Sequence, residues 1–170
     1  MKALTICQPY ASLIVGWDGI RLDDLKRVEN RPRPYSHQGP LLIHAGLSTS
    51  WLNTWDGVLP PTMPFGALLG IVDVAACLPI TTIRCLTDGT PLSWLKRHRH
   101  ASGPYCLVLE RPRRFLTPIP RRGQVGLFEV PEEVFADAAV LDVDEGTFTI
   151  AEATEEKDHA KAQRREGERA

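Results

Sequence analysis

No two of the four cysteines, Cys7, Cys77, Cys85 and Cys106, stand at C-x-x-C spacing. That excludes a zinc ribbon and a thioredoxin-type redox pair. Four cysteines in 170 residues are too few for a disulfide-dense scaffold, so they read as reduced, mostly buried thiols. There is no G-x-G-x-x-G and no P-loop pattern. Ser12, Ser48 and Ser102 lack an elbow motif and recognisable His or Asp partners, which removes support for a serine hydrolase. His44 has no second His, Cys or carboxylate at ligand-like spacing, so no metal is assigned and no cofactor is expected. The opening stretch MKALTICQPYASLIV carries one lysine and breaks at Gln8-Pro9, which makes a poor signal peptide and no membrane span. The expectation is a soluble, cytoplasmic protein with no membrane partner; its oligomeric state is left open.

What is present is the composition of one compact domain, with 43% hydrophobic and 24% charged residues. The net charge of −1 hides an asymmetry. Residues 1–130 hold 15 basic and 9 acidic residues, a net of +6, whereas residues 131–170 hold 5 and 12, a net of −7. A basic body with an acidic tail suggests an anionic partner, but on charge alone a solvated surface with a solubilising tail is the favoured reading. The division expected is a domain over 1–135 and an acidic extension over 136–170. From Ala151 the extension is nearly all Ala, Glu, Lys and Arg, and reads as disordered or as an exposed helix.

The runs KALTIC, KRVENR, GPLLIHAG, FGALLGIVDVAACL, YCLVLER and VGLFEV each read as strands. Gly66 and Gly70 mark a bulge or tight bend in the longest of them. YASLIV after Pro9 reads as a short helix ended by Gly16 or Gly19. One or two helical turns are expected at Trp51–Trp55, a short helix at Thr90–His100, a closing helix at Glu132–Ala139, an edge strand within Leu141–Ile150, and a loop from Pro112 to Arg122. Six strands without an alternating strand–helix repeat give an α+β class, a small, partly closed mixed β-barrel with helices packed around it.

The segment Lys26 to Arg31 holds the densest chemistry. In a regular strand Arg27, Glu29 and Arg31 share one face, and Lys26 points to the other. Only a bulge or a strand end at Lys26 brings it to Glu29. Arginines 111, 113, 114, 121 and 122 bracket the proline-containing loop, and guanidinium forks match phosphate oxygens. Aromatics are interleaved with the basic segments at Tyr10, Tyr35, Trp94, Tyr105 and Phe115, the composition of a single-strand or flipped-base reader. The competing reading puts Trp94, Tyr105 and Phe115 in the core, makes the Lys26–Arg31 charges a salt-bridged edge strand and leaves KRHRH as a solvated basic face.

LTICQPYASLI, KRVENR and GPLLIHA occur in that order, followed by FGALLG, GPY and RGQVGLF. This series resembles the ASCH (activating signal cointegrator homology) domain family over roughly residues 2–130. Tyr10 replaces the family's usual tryptophan after Q-P, and Asp18 to Leu25 forms a longer, acidic insertion. The resemblance implies a PUA-like β-barrel with a cleft lined by the Q-P turn and the K-x-x-E-x-R strand. It implies RNA, DNA or a modified nucleoside as partner. It puts Gln8, Tyr10, Lys26 and Arg31 in the binding cleft, with Arg113, Arg114, Arg121 and Arg122 added by their composition. One branch resembles amidohydrolases acting on N-acetylated cytidine, and other members are ribonucleases. Lys26 and Arg31 match residues of the amidohydrolase branch, and Glu29 stands where that branch has a catalytic threonine. Its distant catalytic glutamate has no clear counterpart. The expected function is therefore binding of nucleic acid or a modified nucleoside, with hydrolysis by Lys26, Glu29 and Arg31 as the alternative.

Overall fold

A computed structural model describes residues 1–60 and 62–143. The expectations for the tail beyond 143 lie outside the described residues. Seven strands form one mixed sheet: β1 (Lys2–Ile6), β2 (Val28–Arg31), β3 (Gly39–Ala45), β4 (Ala67–Pro79), β5 (Tyr105–Pro120), β6 (Leu127–Glu129) and β7 (Val140–Asp142). The order across the sheet is β2-β5-β4-β3-β1-β6, with β7 also on β5. Among the described residues only β1 and β3 pair in parallel. The outer strands β2 and β6 do not pair, so the sheet is curled and open rather than a closed barrel. Among the described residues two short α-helices, α1 (Tyr10–Val15) and α2 (Ile80–Arg84), accompany the sheet in an α+β fold. Among the described residues no helix is long and apolar enough to cross a membrane.

Period-two alternation divides the core. Leu4, Ile6, Leu41 and Ile43 face α1 and pack with Ala11, Ile14 and Val15. Ala3, Leu42, Leu68 and Phe115 face the other way, against Phe128 and Val130. A third cluster joins Val28, Cys106 and Val108 to Ile83 and Leu95, and seats α2 under the edge strand β2. Gly16 ends α1 in the left-handed conformation at φ 60°, as a glycine C-cap does.

Three expectations need correction. The stretch Pro112 to Arg122 is not a loop, because β5 runs through it to Pro120. Register shifts opposite Leu68–Gly70 and Ile71–Asp73 take up the extra residues, and prolines are tolerated where a ladder skips. At this crossing a Cβ on Gly70 would lie 2.2 Å from the Arg113 carbonyl oxygen, so only glycine lets β5 pass. The Thr90–His100 and Glu132–Ala139 helices shrink to 3-10 turns at Ser93–Arg97 and Glu132–Val134. Where an edge strand was expected within Leu141–Ile150, β7 lies at Val140–Asp142; it pairs with Arg113–Phe115, and Val140 packs on the core. Of the aromatics that the competing reading put in the core, Phe115 is buried and Trp94 is exposed.

Candidate functional site

The chain leaves β1 through Cys7-Gln8-Pro9 and enters α1 at Tyr10. Gln8 is fully buried, donates to the Pro64 carbonyl at 2.7 Å and accepts from the Ser12 N–H at 3.1 Å. It therefore fixes the turn from behind rather than meeting a ligand. That turn carries Tyr10 to a cleft of about 510 Å³, bounded also by Lys26, Glu29, Arg31, Trp51 and His100.

Lys26 lies ahead of β2, and its backbone N–H bonds to the Leu13 carbonyl of α1 at 3.0 Å. Being outside the strand, its side chain is free of the alternation and turns back to donate to the Val28 carbonyl and to Glu29. The strand-end condition for joining Lys26 to Glu29 is thus met. Alternation within β2 puts Arg31 beside Glu29, with Nη2 3.1 Å from Oε1. The lysine side chain is only 4% exposed. Burial pushes its pKa below the usual lysine value, and the Glu29 carboxylate opposes that shift. Two cations around one carboxylate leave the cleft floor with a net positive charge.

Asn30 points to the opposite side of β2 and clamps a distant segment. Its side-chain amide donates to the His100 carbonyl at 2.7 Å, and its oxygen accepts from the N–H groups of Ser102 and Gly103 at 3.1 and 2.9 Å. KRHRH is thereby pulled from the expected solvated face to the rim of the cleft. His100 stacks on Trp55 with centroids 5.8 Å apart, and Arg99 lies 4.5 Å from the Trp55 ring. Tyr10 meets Trp51, Trp55 and His100 edge-on at 6.2, 6.5 and 6.0 Å. Burial first, and then the positive charge of Lys26, push the pKa of both His98 and His100 down to about 4, so both are neutral near pH 7. Two buried polar atoms here have no protein partner, Arg31 Nε and His100 Nε2.

The arginines of the proline-rich segment separate into two groups. Arg113 and Arg111 grip Asp73, with Arg113 Nη2 3.0 Å from Oδ1. Arg114 sits near Asp18 at 3.6 Å, beside the Trp17 ring, in a different cavity of about 210 Å³. Neither Arg113 nor Arg114 reaches the cleft. Arg121 and Arg122 follow β5 and line a cavity of about 340 Å³ that shares Thr5 with the cleft. His44, read as a core histidine, is indeed 1% exposed and donates from Nε2 to the Arg121 carbonyl at 2.8 Å.

Sequence reasoning missed Asn30, Trp51, Trp55, Arg99 and His100. The available signals were an asparagine inside a β-patterned run and the histidines in KRHRH.

No family model matches the chain, and no curated protein does. Among solved structures it is similar to the ASCH protein of Zymomonas mobilis at 14% identity and a TM-score of 0.44, covering 79% of this chain and 90% of that one. Two point mutants of the same protein match over 79% of this chain at 14% identity, with TM-scores of 0.44 and 0.43 and 93% and 91% of those chains covered.

Proposed function

We propose that the cleft binds a base of single-stranded nucleic acid, or a modified nucleoside, with RNA ahead of DNA. The observation that carries this reading is the pair of unpartnered buried atoms, Arg31 Nε and His100 Nε2, beside the rings of Tyr10 and Trp51. A planar heterocycle supplies what both features lack: a face for the rings and edge atoms for the two nitrogens. The positive floor suits the phosphate attached to such a base. Binding of short single-stranded RNA is expected to fall steeply as salt rises. Loss of one guanidinium in Arg31→Ala should weaken it, and an unchanged affinity would sink the proposal.

One observation favours a second reading, a hydrolase on the same floor. A buried lysine with a lowered pKa in direct contact with a carboxylate is a pair able to move a proton. Glu29→Gln separates the two. A pure binder keeps or gains affinity when an anion is removed beside phosphate. An enzyme loses about 10²- to 10⁴-fold in rate while still binding. The assay measures turnover of acylated nucleosides and short RNAs next to binding, with folding checked by circular dichroism. Turnover by the wild type that the variant lacks would move the hydrolase to first place.

A further inference from the structure

The cavity next to the cleft holds features that no packing role explains. Its floor is β1 and β3 where Thr5 and His44 are register partners. His44 donates from Nε2 to the Arg121 carbonyl, which leaves Nδ1 as a bare acceptor. Burial holds the pKa of this ring below its usual value, so the lone pair stays available near pH 7. Nδ1 is buried and has no partner, and the same is true of Thr5 Oγ1. Unpartnered buried groups of this kind are uncommon and call for a cause.

Gly123 packs directly against both side chains at the cavity wall, where any larger residue would collide with them. A Cβ there would fall 2.5 Å from His44 Cε1 and 2.7 Å from Thr5 Oγ1. Arg121 and Arg122 line the same cavity, and among the described residues neither makes an ion pair. The site therefore combines a hydrogen-bond acceptor, a hydroxyl and two uncommitted guanidinium groups. An anion bonded to a group that carries a hydroxyl donor satisfies all of them. In a polynucleotide, the ribose 2′-hydroxyl next to a phosphate is such a pair.

We infer that this cavity is a second subsite, which takes the nucleotide neighbouring the one in the cleft: its phosphate on Arg121 and Arg122, its 2′-hydroxyl on His44 and Thr5. The inference rests on the proposed reading of the cleft and narrows it. The ligand is a strand of RNA at least two nucleotides long, not a free nucleoside. Thr5, which lines both cavities, marks where the strand passes from one to the other.

The test is fluorescence anisotropy with labelled hexauridylate, its deoxy counterpart and its 2′-O-methyl counterpart, over a range of salt. The RNA should bind about fivefold more tightly than either analogue, the worth of one hydrogen bond, because both analogues lack the donor. Arg122→Ala changes an exposed side chain and should leave the fold intact. It should reduce the slope of log affinity against log salt by about 0.7, one phosphate contact on a single strand. Equal affinities for the three strands, or an unchanged slope in Arg122→Ala while Tyr10→Ala still weakens binding, would overturn the second subsite and leave the cleft standing. No binding of any strand at low salt would overturn both.

Discussion

Glu29 and Asp73 are both strand carboxylates gripped by two cations, yet they sit in different physical situations. Asp73 on β4 is held by Arg111 and Arg113, and the Arg111 side chain is 75% exposed. Asp73 itself is 8% exposed, but water reaches its Arg111 partner, and among the described residues neither arginine lies over an aromatic ring. Glu29 is held by Lys26, which is 4% exposed and lies 5.6 Å from the Tyr10 ring centroid. A buried ammonium costs far more to desolvate than a surface guanidinium. The paired charge alone therefore does not mark a site. What marks it is a buried cation next to open space, rings and unpartnered polar atoms. The Asp73 cluster braces the β4–β5 crossing, and the Glu29 cluster faces a ligand-sized cleft.

The sharpest break between the two is stability. Glu29→Gln leaves Lys26 buried without a counter-ion and should cost about 3 kcal/mol in urea unfolding. Arg111→Ala removes a largely exposed, solvent-screened partner and should cost about 0.5 kcal/mol. Equal losses would dissolve the distinction. Gly70→Ala attacks the Asp73 side without touching the cleft. Its Cβ meets the Arg113 carbonyl, so about 2 kcal/mol of stability should be lost. Ligand affinity of the folded fraction should stay as in the wild type.

Binding sharpens the comparison from the other side. Tyr10→Ala should lower affinity for single-stranded RNA about tenfold, the loss of one stacking ring, measured by anisotropy. Arg113→Ala should leave that affinity unchanged at moderate salt, because its guanidinium serves Asp73. The smallest expected effect is on pH. His98 and His100 have folded pKa values of about 4, below the ordinary 6.5. The unfolded chain binds more protons between these values, so this stability is fully present above about 6.5 and is lost as pH falls toward 4. Thermal unfolding of a His98→Gln/His100→Gln variant should show a weaker loss over that window.

Much of the fold was legible because strands here are apolar runs with β-branched residues at their centres, bounded by glycine and proline. β3 and β4 follow from GPLLIHA and ALLGIVDVAACLP for that reason. β5 was not legible beyond Arg111, because its prolines sit at register shifts created by the neighbouring strand, which local composition does not reveal. Spacing alone set Lys26 and Glu29 on opposite faces of a regular strand, and a cleft there was implied only by the family resemblance; the strand end at Lys26 is what joins the two. The rim of the cleft was not legible. Asn30 bonds to Ser102 and Gly103 across more than 70 residues, and that contact decides whether KRHRH meets water or the cleft. The arginines illustrate the same limit. One composition covers Arg113 and Arg121 alike, and tertiary pairing with Asp73 alone sends them to different tasks.

The account turns on where an RNA strand touches the molecule. Backbone amide shifts of the ¹⁵N-labelled full chain, titrated with hexauridylate at low salt, read this directly. The largest changes are expected at Tyr10, Asn30, Trp51 and His100, continuing through Thr5 to Arg122 and Gly123. Shifts concentrated instead at Asp73 and Arg111–Arg114, with Tyr10 and His100 unmoved, would contradict it.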